Sequence, residues 1–258
     1  RLIDGYGVAF LESGAGPHRR SAVLNASSIV GHRQDDQLAL WLHAFGLDVL
    51  PDIGYPKTWD YAAPWDRNSM AHNTVTINER PFTTPRFYGN GTRFIAERRG
   101  VHAVCAFHDP YIDGFSFSRL EGAANHPCDL YERLVVMIDV SDTAFYLVDL
   151  FSVNGGDQHD QSWHAMLVEP EVPGLDWVAQ ETGTLAGPAV ERFSAYTCRF
   201  GFHYRKGNFP SFLADIRRAP LAAPAVWTWR SGLPEGDALR LHVIPLGGAA
   251  EAVMGRGR

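Results

Sequence analysis

The sequence has no excess of positive charge: 23 Lys and Arg stand against 29 Asp and Glu, a formal net charge of −6. Such a chain carries no global field to attract nucleic acid or anionic lipid. An anionic polymer would have to be met by a local cluster of Arg, Lys and His. Cysteine is scarce. Cys105, Cys128 and Cys198 share no Cys-x-x-Cys spacing, which argues against a zinc ribbon or a redox pair. Their odd count leaves at least one thiol unpaired, and buried reduced cysteines are the plain reading. No apolar run approaches the roughly 20 residues of a membrane-spanning helix. No segment of helical length shows an apolar stripe at i, i+3, i+4 and i+7. The first residues, Arg1 to Tyr6, are neither an initiator-Met start nor a signal peptide. The expectation is a chain that begins inside a longer precursor, with any export signal upstream.

Hydrophobic residues make up 45% of the chain, beside 25 Gly and 16 Pro, a mix that predicts a sizeable core cut into short segments. Short β runs at Gly7–Leu11 and Ser21–Asn25 are separated by the Gly/Pro turn Ser13–Pro17. Leu38–Phe45, bracketed by Gly31 and Gly46, reads as a buried strand ahead of a sharp turn at Leu50–Gly54. Asn73–Asn78 alternates with period two and is β-branched, a half-buried strand. Phe94–Ala96, Val101–Phe107 and Phe115–Ser118 read as successive strands. Leu130–Val140 and Ala144–Val153 form a hairpin turning at Ser141-Asp142. Further strands are expected at Ser162–Val168, Arg192–Phe200, Ala225–Trp229 and Leu239–Ile244. So many short strands predict an all-β fold: a large two-sheet antiparallel sandwich with few or no helices. Residues 1–250 are read as that one domain and 251–258 as a disordered tail.

Three polar clusters could carry chemistry. Gly31-His32-Arg33-Gln34-Asp35-Asp36 precedes the Leu38 strand, and extended alternation puts His32, Gln34 and Asp36 on one side. Such a set is either a metal site beside a proton-handling group or a hydrogen-bonded structural knot. Asp52 follows in Leu50-Pro51-Asp52-Ile53-Gly54-Tyr55, and His72 in Ala71-His72-Asn73-Thr74. One N or O donor from each segment would suit zinc and also harder divalent ions. The long loop Tyr55–Ala71 holds Tyr55, Trp59, Tyr61 and Trp65. Flat rings there suit sugar faces, with Tyr55 and Trp65 as candidates, or simply pack the loop upon itself.

In order, a His-x-Gln-x-Asp cluster leads into an apolar strand, then Leu-Pro-Asp-x-Gly-Tyr, a Trp-bearing loop and Ala-His-Asn-Thr-Val. Tyr131-Glu132-Arg133, Phe145–Phe151, Gly155–Asp160 and Trp163-His164 follow. This succession resembles the C-terminal sandwich domain of heparinase II/III-like polysaccharide lyases. The resemblance implies β-elimination at a 4-linked uronic acid of an alginate- or glycosaminoglycan-like polymer. It makes His32 the histidine that reaches into the active-site cleft, and Asp52 and His72 ligands of a structural metal. Gln34 stands where a second His often ligates, which leaves zinc as the first choice and calcium as an option. It implies that the Tyr, Asn and His catalytic groups come from an N-terminal helical toroid domain outside this chain. It also implies a periplasmic or secreted enzyme with no nucleic-acid or membrane partner. His159 and His164 are read as structural, and Arg19, Arg20, Arg98 and Arg99 as possible rims of an anionic groove. Two other readings stay open: a non-catalytic carbohydrate-binding or domain-packing module, and a cupin-like metalloenzyme, although the cupin Glu after the His pair is missing.

Overall fold

The computed structural model describes residues 1–3, 6–27, 34, 36–54, 65–66, 68–79, 90–98, 101–108, 128–166, 168–192, 209–233 and 238–257. Of 90–98, 101, 107–108, 128–129 and 209 only the backbone is described. The named elements are antiparallel strands and short 3-10 turns, which makes the protein all-β. No helix among the described residues is long and apolar enough to cross a membrane.

The first sheet runs β1 (Leu2–Ile3), β2 (Val8–Ser13), β3 (Arg20–Asn25), β4 (Ala39–Ala44) and β5 (Leu47–Leu50), each strand paired with the next. Alternation decides its faces. Ala9, Leu11, Ala22, Leu24, Leu40 and Leu42 point to the core, and partly exposed Phe10, Val23 and Trp41 pair across the opposite face. β4 and β5 meet through Phe45-Gly46, both at positive φ (55° and 81°), the twist a two-residue hairpin needs.

After the short strand β6 (Val75–Ile77), the second sheet contains β7 (Asn90–Arg98), β8 (Val101–His108), β9 (Cys128–Ser141) and β10 (Ala144–Gly155), in the order β10-β9-β8-β7. β9 and β10 form the expected long hairpin, with Ala144 opposite Ser141. Its inward residues Tyr131, Val135 and Met137 join the same core as Leu11, Leu24 and Leu40. Burying one such aliphatic side chain contributes about 1.5–3 kcal/mol. Smaller sheets complete the molecule. β11 (His159–Gln161) pairs with β6, and β12 (Val178–Ala179) and β16 (Glu251–Arg256) flank β13 (Ala214–Pro220). The remaining pair is β14 (Trp227–Arg230) with β15 (Arg240–Val243), from which Trp229 enters the main core.

Three expectations need correction. Residues 251–256 are not a disordered tail: β16 pairs along β13, with Ala252 buried opposite Ala219. Of the strand expected at Ser162–Val168, the described 162–166 form none, because backbone donors there bond sideways, Ser162 N to Thr74 O at 3.0 Å and His164 N to Asn73 Oδ1 at 2.6 Å. β13 went unread because Asp215 sits at φ 54° and the register shifts between Ala214 and Arg217, which breaks the alternation. The strands expected at 115–118 and 193–200 lie outside the described residues.

The two main sheets are also joined by charge. Arg20, 3% exposed, donates from Nε to Asp139 Oδ1 at 2.6 Å and from its Nη atoms to the carbonyls of Ser141 and Asp142. Ser13 donates its hydroxyl to the other carboxylate oxygen. Burial pushes the Asp139 carboxyl up, but the Ser13 and Arg20 contacts outweigh it and hold it below the usual carboxylate range. A carboxyl depressed in the folded state contributes stability above its unfolded value and loses it as pH falls through the folded one. Asp139→Asn is therefore expected to lower the denaturant midpoint at pH 7, with the gap to the parent closing below about pH 4. A gap that stays constant into acid would refute this assignment.

Candidate metal centre

Three turns at one end of the first sheet build the centre. The segment after β5 turns at Asp52, whose Oδ2 accepts from Gly54 N at 3.0 Å, and Gly54 takes φ 75°. The 3-10 turn Ser69–Ala71 is capped by Asn68, whose side chain accepts from Met70 N at 3.0 Å, and it ends at His72. The segment before β4 returns Gln34 to the same place: its Nε2 donates to Gly54 O at 2.6 Å. Gly54 thus holds Asp52 through its N–H and Gln34 through its carbonyl.

His72 is enclosed, with 2% of its surface exposed. Its Nε2 lies 2.9 Å from the carbonyl oxygen of Asp66, and its Nδ1 lies 2.9 Å from Asp52 Oδ1. A carbonyl only accepts, so Nε2 carries a proton. Nδ1 then faces a carboxylate at hydrogen-bond distance, and its lone pair is tolerable there only if a proton is shared or a cation takes the proton's place. Burial alone would lower the imidazole, but Asp52 and the charge of Asp36 outweigh it and raise its affinity for a proton. Burial pushes Asp52 up as well, yet the contact with His72 leaves it below its ordinary value. Asp66, in the same neighbourhood, is pushed up to about 6 by burial. Asp36, raised by burial, is held by Asn25 Nδ2 at 2.6 Å.

This arrangement fits a divalent ion. The far atom of each candidate donor is already engaged: His72 Nε2 by Asp66 O, Asp52 Oδ2 by Gly54 N, and Gln34 Nε2 by Gly54 O. Nδ1, Oδ1 and the amide oxygen are left as the donor ends, as when outer hydrogen bonds orient metal ligands. Among the described residues no group of three or more His, Cys, Asp or Glu could hold a metal; a third donor from those residues would be the Gln34 amide oxygen.

His32 and Tyr55 lie outside the described residues. Trp65 does not offer a sugar platform as placed. It is 4% exposed, with its ring 5.6 Å from that of Phe212 and packed on Ala71, so the indole serves a small second core. His164 is structural. It is buried, donates from Nε2 to Met70 O at 2.7 Å, and burial lowers its proton affinity. His159 Nε2 bonds its own turn at Gly155 O, 2.7 Å away. Arg20 is buried on Asp139, and Arg19, still largely exposed, pairs with Glu12. The sequence reading missed Asn25 and Asp66. Neither carries a local signal beyond being a polar residue at a strand end or in a loop.

The other motif residues lock the centre to the core. Tyr131 donates to Val75 O at 2.6 Å, and Thr74 Oγ1 donates to Gln37 O at 2.6 Å. Arg133 Nη1 reaches the carbonyls of Leu38 and Asn73, both at 2.7 Å.

Fold and centre together define a large antiparallel sandwich module with a buried His–Asp pair at its rim. The chain belongs to the heparinase II/III-like family: the C-terminal domain of that family matches residues 19–189. This membership closes the cupin alternative. No curated protein is matched by the sequence. Among solved structures, heparan sulfate lyase HepC from Pedobacter heparinus superposes with a TM-score of 0.50 at 14% identity, over 98% of this chain and 35% of that one. A mutant of the same lyase superposes with a TM-score of 0.50 at 13% identity, again over 98% of this chain and 35% of that one. Identities this low speak for the fold. The chain spans about a third of the length of these lyases, 35%.

Proposed function

We propose that this chain is the β-sandwich part of a polysaccharide lyase that cleaves a uronic-acid-containing polymer, alginate- or glycosaminoglycan-like, by β-elimination. The observation that carries the reading is the meeting of three motif segments far apart in sequence: Gly54 holds both Gln34 and Asp52, and Asp52 in turn bonds His72. Elimination needs the uronate carboxylate neutralised so that the C5 proton becomes acidic; a base then removes it and an acid protonates the leaving oxygen. In this reading base and acid come from a helical toroid domain, and the sandwich contributes His32 beside the carboxylate, with Tyr55 close to the sugar. Gln34 and Asp52 stand two and three residues from these side chains, so the centre acts as their anchor. Such polymers lie outside the cytoplasm, and a secreted or periplasmic enzyme follows.

The test is a pair of assays following unsaturated uronate by ultraviolet absorbance. The isolated chain is expected to release none. In the full-length enzyme, His32→Ala is expected to cut turnover by about 10²-fold, the scale of one lost acid–base or charge-stabilising group, with the melting temperature unchanged. Robust cleavage by the isolated chain, or full activity of the variant, would overturn the reading.

A divalent ion, zinc first and calcium second, is proposed at Gln34, Asp52 and His72. When bound, it would be held by these residues and crosslink their three segments, supplying positive charge beside the Asp52 carboxylate. Elemental analysis is expected to find about one equivalent of metal per chain, and chelation to lower the melting temperature. Metal-free protein with a melt indifferent to chelator would instead make His72 an imidazolium paired with Asp52.

A further inference from the structure

The outward face of the β14–β15 hairpin gathers cationic side chains that the proposed centre does not use. Arg230 stands directly opposite Arg240, and Thr228 opposite His242. Residues two apart share a face, so these four stand together, while Trp227 and Trp229 point the other way onto the core. Val226 and Ile244, both exposed, extend the same face with apolar surface. Like charges directly opposite on a sheet repel. On other strands, each arginine whose side chain is described meets an acid: Arg20 meets Asp139, Arg133 meets Asp149, Arg217 and Arg256 meet Glu169, and Arg218 meets Glu251. The hairpin departs from this rule. Arg230 has only exposed Glu171 at 3.4 Å, and Arg240 has no carboxylate partner among the described residues. The ring of His242 is oriented by Thr228, with Nδ1 3.0 Å from Oγ1.

We infer that this face is an accessory binding site for an anionic polysaccharide, the two guanidinium groups gripping a carboxylate or sulfate and His242 lying further along the chain of sugars. Guanidinium forks match planar oxyanions and are less tightly hydrated than ammonium groups. A bound anion would also relieve the Arg230–Arg240 repulsion, and the aliphatic end of the strip suits the C–H faces of sugar rings. The choice of polymer rests on the lyase reading; the charge arrangement does not.

The test is calorimetric titration of the 258-residue chain with a heparan sulfate-derived oligosaccharide and with an oligoalginate. The parent is expected to bind at least one of them, more weakly as salt rises. Arg230→Ser with Arg240→Ser should weaken binding about tenfold. Arg192→Ser with Arg218→Ser, the same charge change elsewhere, should leave it unaltered. Arg230→Gln with Arg240→Gln serves if the serine pair fails to fold. No binding by the parent, equal losses in both double variants, or equal affinity for single-stranded DNA would each overturn the inference. Failure of the lyase reading would look different: no unsaturated product from the full-length enzyme, with the chain's sugar binding and its loss in the variant intact.

Discussion

Arg133→Ala is expected to remove about 3–5 kcal/mol of folding stability, read from the shift in denaturant midpoint. The guanidinium is fully enclosed. It grips both carboxylate oxygens of Asp149 at 2.8 and 2.7 Å and donates to two carbonyls of the segments that flank the centre. The rings of Phe151 and Trp163 cover it, their centroids 5.1 and 5.9 Å from its central carbon. Removing it leaves a carboxylate only 14% exposed, takes the guanidinium from the Leu38 carbonyl and leaves the Asn73 carbonyl with Leu40 N alone, and an unpaired buried charge is what makes such deletions severe. Lysine supplies one point charge where a fork is needed, so Arg133→Lys should recover only part of the loss. Replacing both partners, Arg133→Met with Asp149→Leu, should recover more, because no charge is then stranded. A single-variant loss below about 1 kcal/mol, the range of exposed pairs, would contradict this account.

His72→Ala is expected to cost a similar amount, about 3–5 kcal/mol, and to abolish any rise in melting temperature on adding zinc. Asp36, Asp52 and Asp66 surround this imidazole closely enough to shift one another. Without it, three acids share a poorly solvated pocket with no cation, and the Asp66 carbonyl loses its donor. Asp52→Asn should be milder, since the amide oxygen can still accept from Gly54 N. Melting of parent and variants with and without zinc separates the cases. A His72→Ala protein as stable as its parent, but silent within the full-length enzyme, would move His72 from anchor to direct participant.

The legible part of the fold was the part with alternation or with apolar runs set between turns. The β14–β15 pair repeats apolar and polar positions with period two, and β2, β3, β4 and the β9–β10 hairpin are apolar or β-branched runs bounded by Gly, Pro or Ser-Asp turns. β16 escaped because Glu251–Arg256 is short, Gly-bearing and mostly exposed, and only its pairing with β13 makes it a strand. Ser162–Val168 misled for the opposite reason: its composition suits a strand, but its donors are taken by the 73–74 segment. Trp65 was read from its ring alone, and its burial against Phe212 depends on a residue 147 positions later in the chain.

The sequence by itself determined the all-β class, the main strands and the motif order that places the chain in its family, because periodicity and motif order are local properties of the chain. It also named Asp52, His72 and Gln34 as a set, through resemblance. Only the tertiary structure decided that Gly54 ties two of them together, that Asp66 offers its carbonyl and not a side chain to His72, and that Arg133 anchors the segments beside them. It also decided which arginines are neutralised: Arg20 is buried on Asp139, while Arg230 and Arg240 stand opposite each other with exposed Glu171 beside Arg230. The physical reason is that hydrogen bonds, desolvation and charge pairing act over a few ångströms in space, and the chain brings those atoms together only once its sheets have packed.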